Sequence, residues 1–326
     1  MGSRSRPRRP RRRAVKVSRR AKRSARPRAR RKAARGPAAF KSPGHVVTTE
    51  WLAAVLFDPR GGGETSRVRV VDGTWHMPQL QRNARREFEE GHIPGAVFFD
   101  IDEIADRATP LPHMLPTAAE FSRHVSALGL SSNDFIVVYD TRGVVSAARV
   151  WWTFRAFGHD RVAVLDGGLK KWKAEGRPLA TGAPTPTARR FRAKLRPALV
   201  RGLEQMRRNV DTRREQVLDA RSRGRFYGTE AEPRPGLRAG HIPGSFNLPY
   251  DMLYRPDGTL LPPEGLKEAF REAGLDSRKP IATTCGSGVT ASVLALGLHL
   301  IGHRKVAVYD GSWTEWGGRS DTPVEL

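Results

Sequence analysis

Cys285-Gly286-Ser287-Gly288-Val289-Thr290-Ala291 stands between a short apolar run, Ile281 to Thr284, and a longer one, Val289 to Ile301. The first run reads as a buried strand and the second as a helix apolar nearly all round, which places the cysteine at a strand-to-helix turn. Gly286 and Gly288 leave room for a tight turn whose backbone N–H groups converge inward, and the helix beyond points its positive end at the sulfur. Both features favour the thiolate, the reactive form of cysteine. A lone cysteine is also often an inert, buried small hydrophobe, so the rest of the chain has to separate the two readings.

The alternation of apolar runs and helical stretches extends back from this loop. Val68 to Asp72, Phe135 to Asp140 and Val162 to Asp166 read as strands, and Arg149 to Gly158 as a helix. That order predicts an α/β protein with a largely parallel sheet. The stretch Gly91-His92-Ile93-Pro94-Gly95 recurs as Gly240-His241-Ile242-Pro243-Gly244, an offset of 149. Gly158-His159 before Val162 to Gly167 recurs as Gly302-His303 before Val306 to Gly311 at an offset of 144, and Ile136 to Gly143 matches Ile281 to Gly288 at 145. Several matches near one offset, in one order, mean a duplicated domain. The expected organisation is two tandem α/β domains, 45–180 and 198–326, joined by a linker, 181–197, which contains Pro184, Pro186 and Pro197. Opposite Cys285 the first copy has Asp140, so the second copy is expected to carry the chemistry and the first to supply structure and part of a cleft wall, the alternative being two structural cores with an incidental cysteine.

Composition bounds the function. The 326 residues suffice for two cores, and 38% of them are hydrophobic. No run approaches the length of a membrane-spanning helix. A single cysteine forms no intramolecular disulfide, which agrees with a reducing compartment and a cytoplasmic location. The net charge of +25 is concentrated at one end: residues 1–42 hold 19 Lys or Arg and no acid, leaving +6 for the other 284 residues. This Arg-rich tail also holds Pro7, Pro10, Pro27 and Pro37 and few large apolar residues, so it is expected to be disordered. A nonspecific polyanion-binding arm, a targeting peptide and upstream sequence without a role all remain open for it. One cysteine and scattered histidines give no metal-ligand spacing, and neither a G-x-G-x-x-G nor a Walker loop occurs, so no metal and no cofactor are expected.

The paired G-H-I-P-G segments, the Cys285 loop and the closing Asp310-Gly311-Ser312-Trp313-Thr314-Glu315-Trp316 resemble the tandem rhodanese-type sulfurtransferases, more closely their 3-mercaptopyruvate sulfurtransferase branch. The resemblance runs from about residue 46 to the C-terminus. The thiosulfate-using branch usually has basic residues after its cysteine, whereas Gly286 and Ser287 are neutral. The family likeness implies that Cys285 attacks the sulfur of 3-mercaptopyruvate, that pyruvate leaves, and that a cysteine persulfide waits for an acceptor. That acceptor is a thiol, such as thioredoxin or a low-molecular-weight thiol, or cyanide. By the same likeness Arg225 and Arg234, which stand 60 and 51 residues before the cysteine, bind the substrate carboxylate. The backbone of Gly286, Gly288, Val289 and Thr290 cradles the sulfur, and Ser287, His113 and Asp102 form a proton relay shared between the copies.

Plainer readings stand beside these. Either arginine also reads as a solvated surface group, Asp102 as a helix cap, and His113 as a satisfied loop histidine. His92 and His241 occur in both copies and so read as structural turns, and Asp219 with Arg221 as a buried structural pair. Trp151, Trp152 and Trp313 read as core. The stretch from Asp140 to Ser146, Ala148 before Arg149, and Pro112 before His113 depart from the family pattern. A rhodanese-like phosphatase needs Cys-x5-Arg, and Ala291 stands at that position. The remaining alternatives are a thiosulfate:cyanide sulfurtransferase and a non-enzymatic rhodanese-like binding module.

Overall fold

The computed structural model describes residues 1–2, 44–58 and 67–326; the expectation made for the tail, residues 1–42, lies outside the described residues from residue 3 onward. The apolar runs form two five-stranded parallel sheets. The first comprises β1 (Val46–Val47), β2 (Val68–Asp72), β3 (Ala96–Phe98), β4 (Phe135–Tyr139) and β5 (Val162–Leu165), in the order β1-β5-β4-β2-β3. The second comprises β6 (Val200–Arg201), β7 (Gln216–Asp219), β8 (Phe246–Asn247), β9 (Ile281–Thr284) and β10 (Val306–Tyr309), in the order β6-β10-β9-β7-β8. Position for position the two orders are the same, as the internal repeat requires. The central strands β4 and β9 are buried along their whole length, which is why they read as unbroken apolar runs rather than alternating ones.

Helices fill the crossovers. In the first copy these are α1 (Thr49–Leu56), α2 (Ala84–Glu90), α3 (Ala118–Ala127), α4 (Ser146–Ala156) and α5 (Gly168–Ala174). In the second they are α6 (Leu203–Thr212), α7 (Arg223–Phe226), α8 (Pro263–Glu272), α9 (Ala291–Leu300) and α10 (Ser312–Trp316). Helices α4 and α9 are buried on nearly every side because they pack against each other across the two copies. One core cluster accordingly joins Val71, Ile136 and Trp151 of the first copy to Leu218, Leu253 and Leu294 of the second. Helix α4 starts three residues ahead of the Arg149 start expected from the sequence. Helix α9 starts two residues behind the expected Val289, because Gly288, at φ +77°, belongs to the turn.

Two matching clasps close the seam between the copies. Asp310, just after β10, accepts the backbone N–H of Leu115 at 2.8 Å, and Asp166, just after β5, accepts that of Leu260 at 2.9 Å. The G-H-I-P-G histidines prove structural: His92 stacks on Phe88 and donates to its carbonyl, and His241 does the same to Phe226. Among the described residues no helix is long and apolar enough to cross a membrane.

Candidate active site

Strand β9 ends at Thr284 and delivers Cys285, 2% exposed, into the mouth of the loop. The segment from Ser312 to Thr314 holds that loop from behind. Cys285 N–H donates to Ser312 Oγ (3.2 Å), Trp313 N–H to the Cys285 carbonyl (2.9 Å), and Thr314 N–H and hydroxyl to the Gly286 carbonyl (2.9 and 2.7 Å). Ser312 takes φ +48°, a conformation in which its hydroxyl reaches back to the Tyr309 carbonyl at 2.7 Å.

The first copy shows what such a loop holds. The Asp140 carboxylate accepts four backbone N–H groups, from Arg142 (2.7 Å), Gly143 (2.8 Å), Val145 (2.7 Å) and Ala147 (2.9 Å). At the offset of 145 these donors correspond to Ser287, Gly288, Thr290 and Ser292. The last turns to the Val289 carbonyl, while the N–H groups of Ser287, Gly288 and Thr290 meet no protein acceptor among the described residues. A ring of backbone donors around a sulfur stabilises an anion there.

The two arginines expected from the sequence lie over Gly286, where an added Cβ would come 3.1 Å from Arg225 Nη2 and 3.6 Å from Arg234 Nη1. They differ in their partners. Glu232 takes Arg225 in a two-pronged contact (3.1 and 2.6 Å) and Arg221 Nη1 at 2.7 Å. Arg221 in turn grips Asp219 and lies over the Trp313 ring at 4.3 Å. The charges of Asp219, Arg221, Glu232 and Arg225 therefore cancel. Arg234 has no carboxylate partner among the described residues; its Nη2 stands 3.5 Å from Ser287 Oγ, the outer limit of a hydrogen bond. Burial pushes the Arg234 guanidinium pKa down while the nearby Cys285 charge opposes that push.

From the first copy, His113 is buried at φ +63°, with Nδ1 2.9 Å from Asp102 Oδ1. Trp75 fixes the pair by donating from Nε1 to Asp102 Oδ2 (2.9 Å) and by meeting the imidazole edge-on. Burial holds the His113 pKa below its ordinary 6.5 although Asp102 pulls it up. For Asp102 burial pushes upward, but His113, Trp75 and Arg234 outweigh it and keep the carboxyl below 3.8. Asp102 caps no helix; Asp100 caps the local turn instead. Among the described residues no hydrogen bond joins His113 to Ser287, whose hydroxyl faces Arg234. What ties the His113 segment to the cysteine loop is Arg149, which donates to the His113 carbonyl and to Asp310 Oδ1 (2.7 Å).

The family model for the Rhodanese-like domain matches residues 81–175 and again 202–319. The chain belongs to the rhodanese-like family. It is 46% identical over 273 residues to 3-mercaptopyruvate sulfurtransferase of Homo sapiens, covering 83% of this chain and 91% of that one. It is 44% identical over 301 residues to thiosulfate/3-mercaptopyruvate sulfurtransferase 1, mitochondrial, of Arabidopsis thaliana, covering 86% and 78%. The solved structure of SseA from Escherichia coli, a 3-mercaptopyruvate sulfotransferase, superposes with a TM-score of 0.74 at 36% identity, over 83% of this chain and 99% of that one.

For this rhodanese-like chain the structure thus gathers Cys285, its loop, Arg225 and Arg234, and it pairs Asp102 with His113. Sequence reasoning missed the bridging role of Glu232, the Trp75 support, and the Arg149 link. Glu232 was legible as a neighbour, since it lies two residues before Arg234, but its two partners are set only by the fold.

Proposed function

We propose that the chain is a persulfide-forming sulfurtransferase that takes sulfur from 3-mercaptopyruvate, and secondarily from thiosulfate, and passes it to a thiol or cyanide. The observation that carries this reading is the pairing of Cys285, in a loop whose Ser287, Gly288 and Thr290 N–H groups meet no protein acceptor among the described residues, with Arg234, a guanidinium that no carboxylate holds there. The guanidinium fits the substrate carboxylate, a charge-assisted contact contributing about 1.5–3 kcal/mol. The neutral Gly286 and Ser287 beside it suit a donor with one negative charge better than one with two.

The steps balance without a cofactor. The Cys285 thiolate forms a bond to the substrate sulfur, the carbon–sulfur bond breaks, and its electron pair leaves with carbon as the enolate of pyruvate. The proton that the substrate thiol carried passes to that carbon, and Ser287 with neutral His113 is the shuttle, Asp102 holding the imidazole. The persulfide anion then fills the ring of N–H donors from Ser287, Gly288 and Thr290, with Gly286 and Val289 shaping the turn. An acceptor thiol, thioredoxin or a small one, attacks the outer sulfur and the pair returns to Cys285. We place this cycle in the cytoplasm, which fractionation of the tagged full chain checks, and assign residues 1–42 a nonspecific polyanion contact, which retention on heparin with and without them checks.

Intact mass after brief exposure to 3-mercaptopyruvate without acceptor is the direct test, with thiosulfate in parallel. A gain of about 32 mass units, removed by a thiol and absent from Cys285→Ser, is the expected result. No gain with either donor sinks the enzyme reading in favour of a binding module.

A further inference from the structure

The two clasps at the seam provide a comparison within one molecule. Asp310 and Asp166 each accept a backbone N–H from the other copy, at 2.8 and 2.9 Å. The clasps differ at the carboxylate: Arg149 Nη2 reaches Asp310 Oδ1 at 2.7 Å, whereas the position 145 residues later holds Leu294, and on that edge Arg142 Nη2 meets the Tyr250 hydroxyl instead, at 3.2 Å. The Asp166 carboxylate therefore closes its clasp with no guanidinium hydrogen-bonded to it among the described residues, and the buried charge of Arg149 has a further use. Its contacts indicate which. Nη2 also donates to the carbonyl of His113, a residue held at φ +63°, where a histidine backbone is strained. Nη1 packs so closely on the cysteine loop that a Cβ at Gly288 would lie 2.6 Å away, and this buried nitrogen has no acceptor among the described residues.

We propose that Arg149 is a positioning residue for sulfur transfer, fixing the His113 backbone of one copy against the Gly288 turn of the other so that the imidazole and the Cys285 loop keep one spacing. The proposal rests on the relay reading above, and no bond changes at Arg149 itself. The charged groups facing His113 are Asp102, Arg149 and Arg234. Burial and the two arginines favour the neutral imidazole and Asp102 opposes them, so the rate falls as pH drops through a His113 pKa that lies below 6.5. Removing the Arg149 charge raises that pKa and moves the acid limb to higher pH.

The experiment compares Arg149→Met, Arg149→Lys, His113→Gln, the Arg149→Met/His113→Gln pair, and Asp166→Asn as the control for the seam alone. Two readouts are followed against pH: kcat and KM with 3-mercaptopyruvate, and the alkylation rate of Cys285 by iodoacetamide, which needs no sulfur donor. For Arg149→Met the expected result is a kcat lower by about 10- to 100-fold with KM nearly unchanged, the kcat acid limb displaced upward, and the Cys285 alkylation rate changed as the Gly288 turn loses its support. The double variant is then no slower than the worse single one, while Asp166→Asn lowers Tm and leaves kcat alone. Arg149→Lys keeps the charge but not both contacts, so it loses kcat with the limb in place; if the Met variant does not fold, this variant decides. Loss of Tm alone in the Arg149 variants, or losses that multiply in the double variant, overturn the proposal. If the wild type forms no persulfide from 3-mercaptopyruvate, the functional reading fails. The alkylation rate still judges Arg149, and an unchanged rate in Arg149→Met rejects it.

Discussion

Glu232 holds Arg225 with two hydrogen bonds and Arg221 with a third, and Asp219 completes the neutralisation, so of the three arginines only Arg234 brings an uncancelled positive charge to the loop. One unit charge 4 Å away is worth about 1 kcal/mol in water and about 4 at an effective dielectric of 20, per negative charge on the ligand. Thiosulfate carries two such charges and 3-mercaptopyruvate one. Glu232→Gln adds a positive charge to the site and is expected to raise the ratio of kcat/KM for thiosulfate over 3-mercaptopyruvate about 5- to 50-fold. Using the ratio cancels any common loss from leaving Arg221 with one partner fewer. A ratio that stays put or falls in steady-state assays with both donors rules out this account of donor choice. The two arginines themselves could be read from the family likeness; which of them is free could not, because that depends on a carboxylate whose partners stand 7 and 11 residues before it and are chosen by the fold.

The turn from β9 to α9 is the element on which the chemistry depends, and most of it was legible. Apolar runs placed the strand and helix, and paired glycines placed the turn. Its tightness was not, since it arises from segments far away in sequence: Ser312 to Thr314 behind it and Arg149 beneath it. At Gly288 these constraints meet a φ of +77°, and a Cβ would face both Arg149 Nη1 at 2.6 Å and the Asp310 carbonyl at 3.1 Å. Gly288→Ala is therefore expected to cost about 1–3 kcal/mol of stability, read from urea unfolding, and to abolish persulfide formation by displacing Arg149. Full labelling by 3-mercaptopyruvate in a stable Gly288→Ala protein would show that the turn tolerates more than this geometry allows. The start of α4 at Ser146 escaped sequence reading for a related reason: Asp140 organises the preceding turn through its own carboxylate, and no local pattern signals that.

At the scale of the whole molecule the duplication was fully legible as an offset, and it explains the matching sheet orders and the two clasps. The clasps across the seam were not legible, because residues 94 and 195 positions apart make them. The repeated architecture also bears on how the enzyme fails. An aspartate side chain is the carbon counterpart of a cysteine sulfinate: each presents two anionic oxygens one atom beyond Cβ. Asp140 therefore displays in the first copy how the second would hold Cys285 after irreversible oxidation, through the three of its four N–H donors whose counterparts are open. Peroxide is expected to convert Cys285 to this state readily once a sulfenate forms, adding about 32 mass units that thiols do not remove, unlike the equal mass of a persulfide. Absence of that thiol-resistant species under excess peroxide would mean that the catalytic loop does not accept the geometry its sister has adopted permanently. The silent copy would then be no guide to inactivation of the working one; otherwise the chain carries its own poisoned form, folded beside the active one from synthesis.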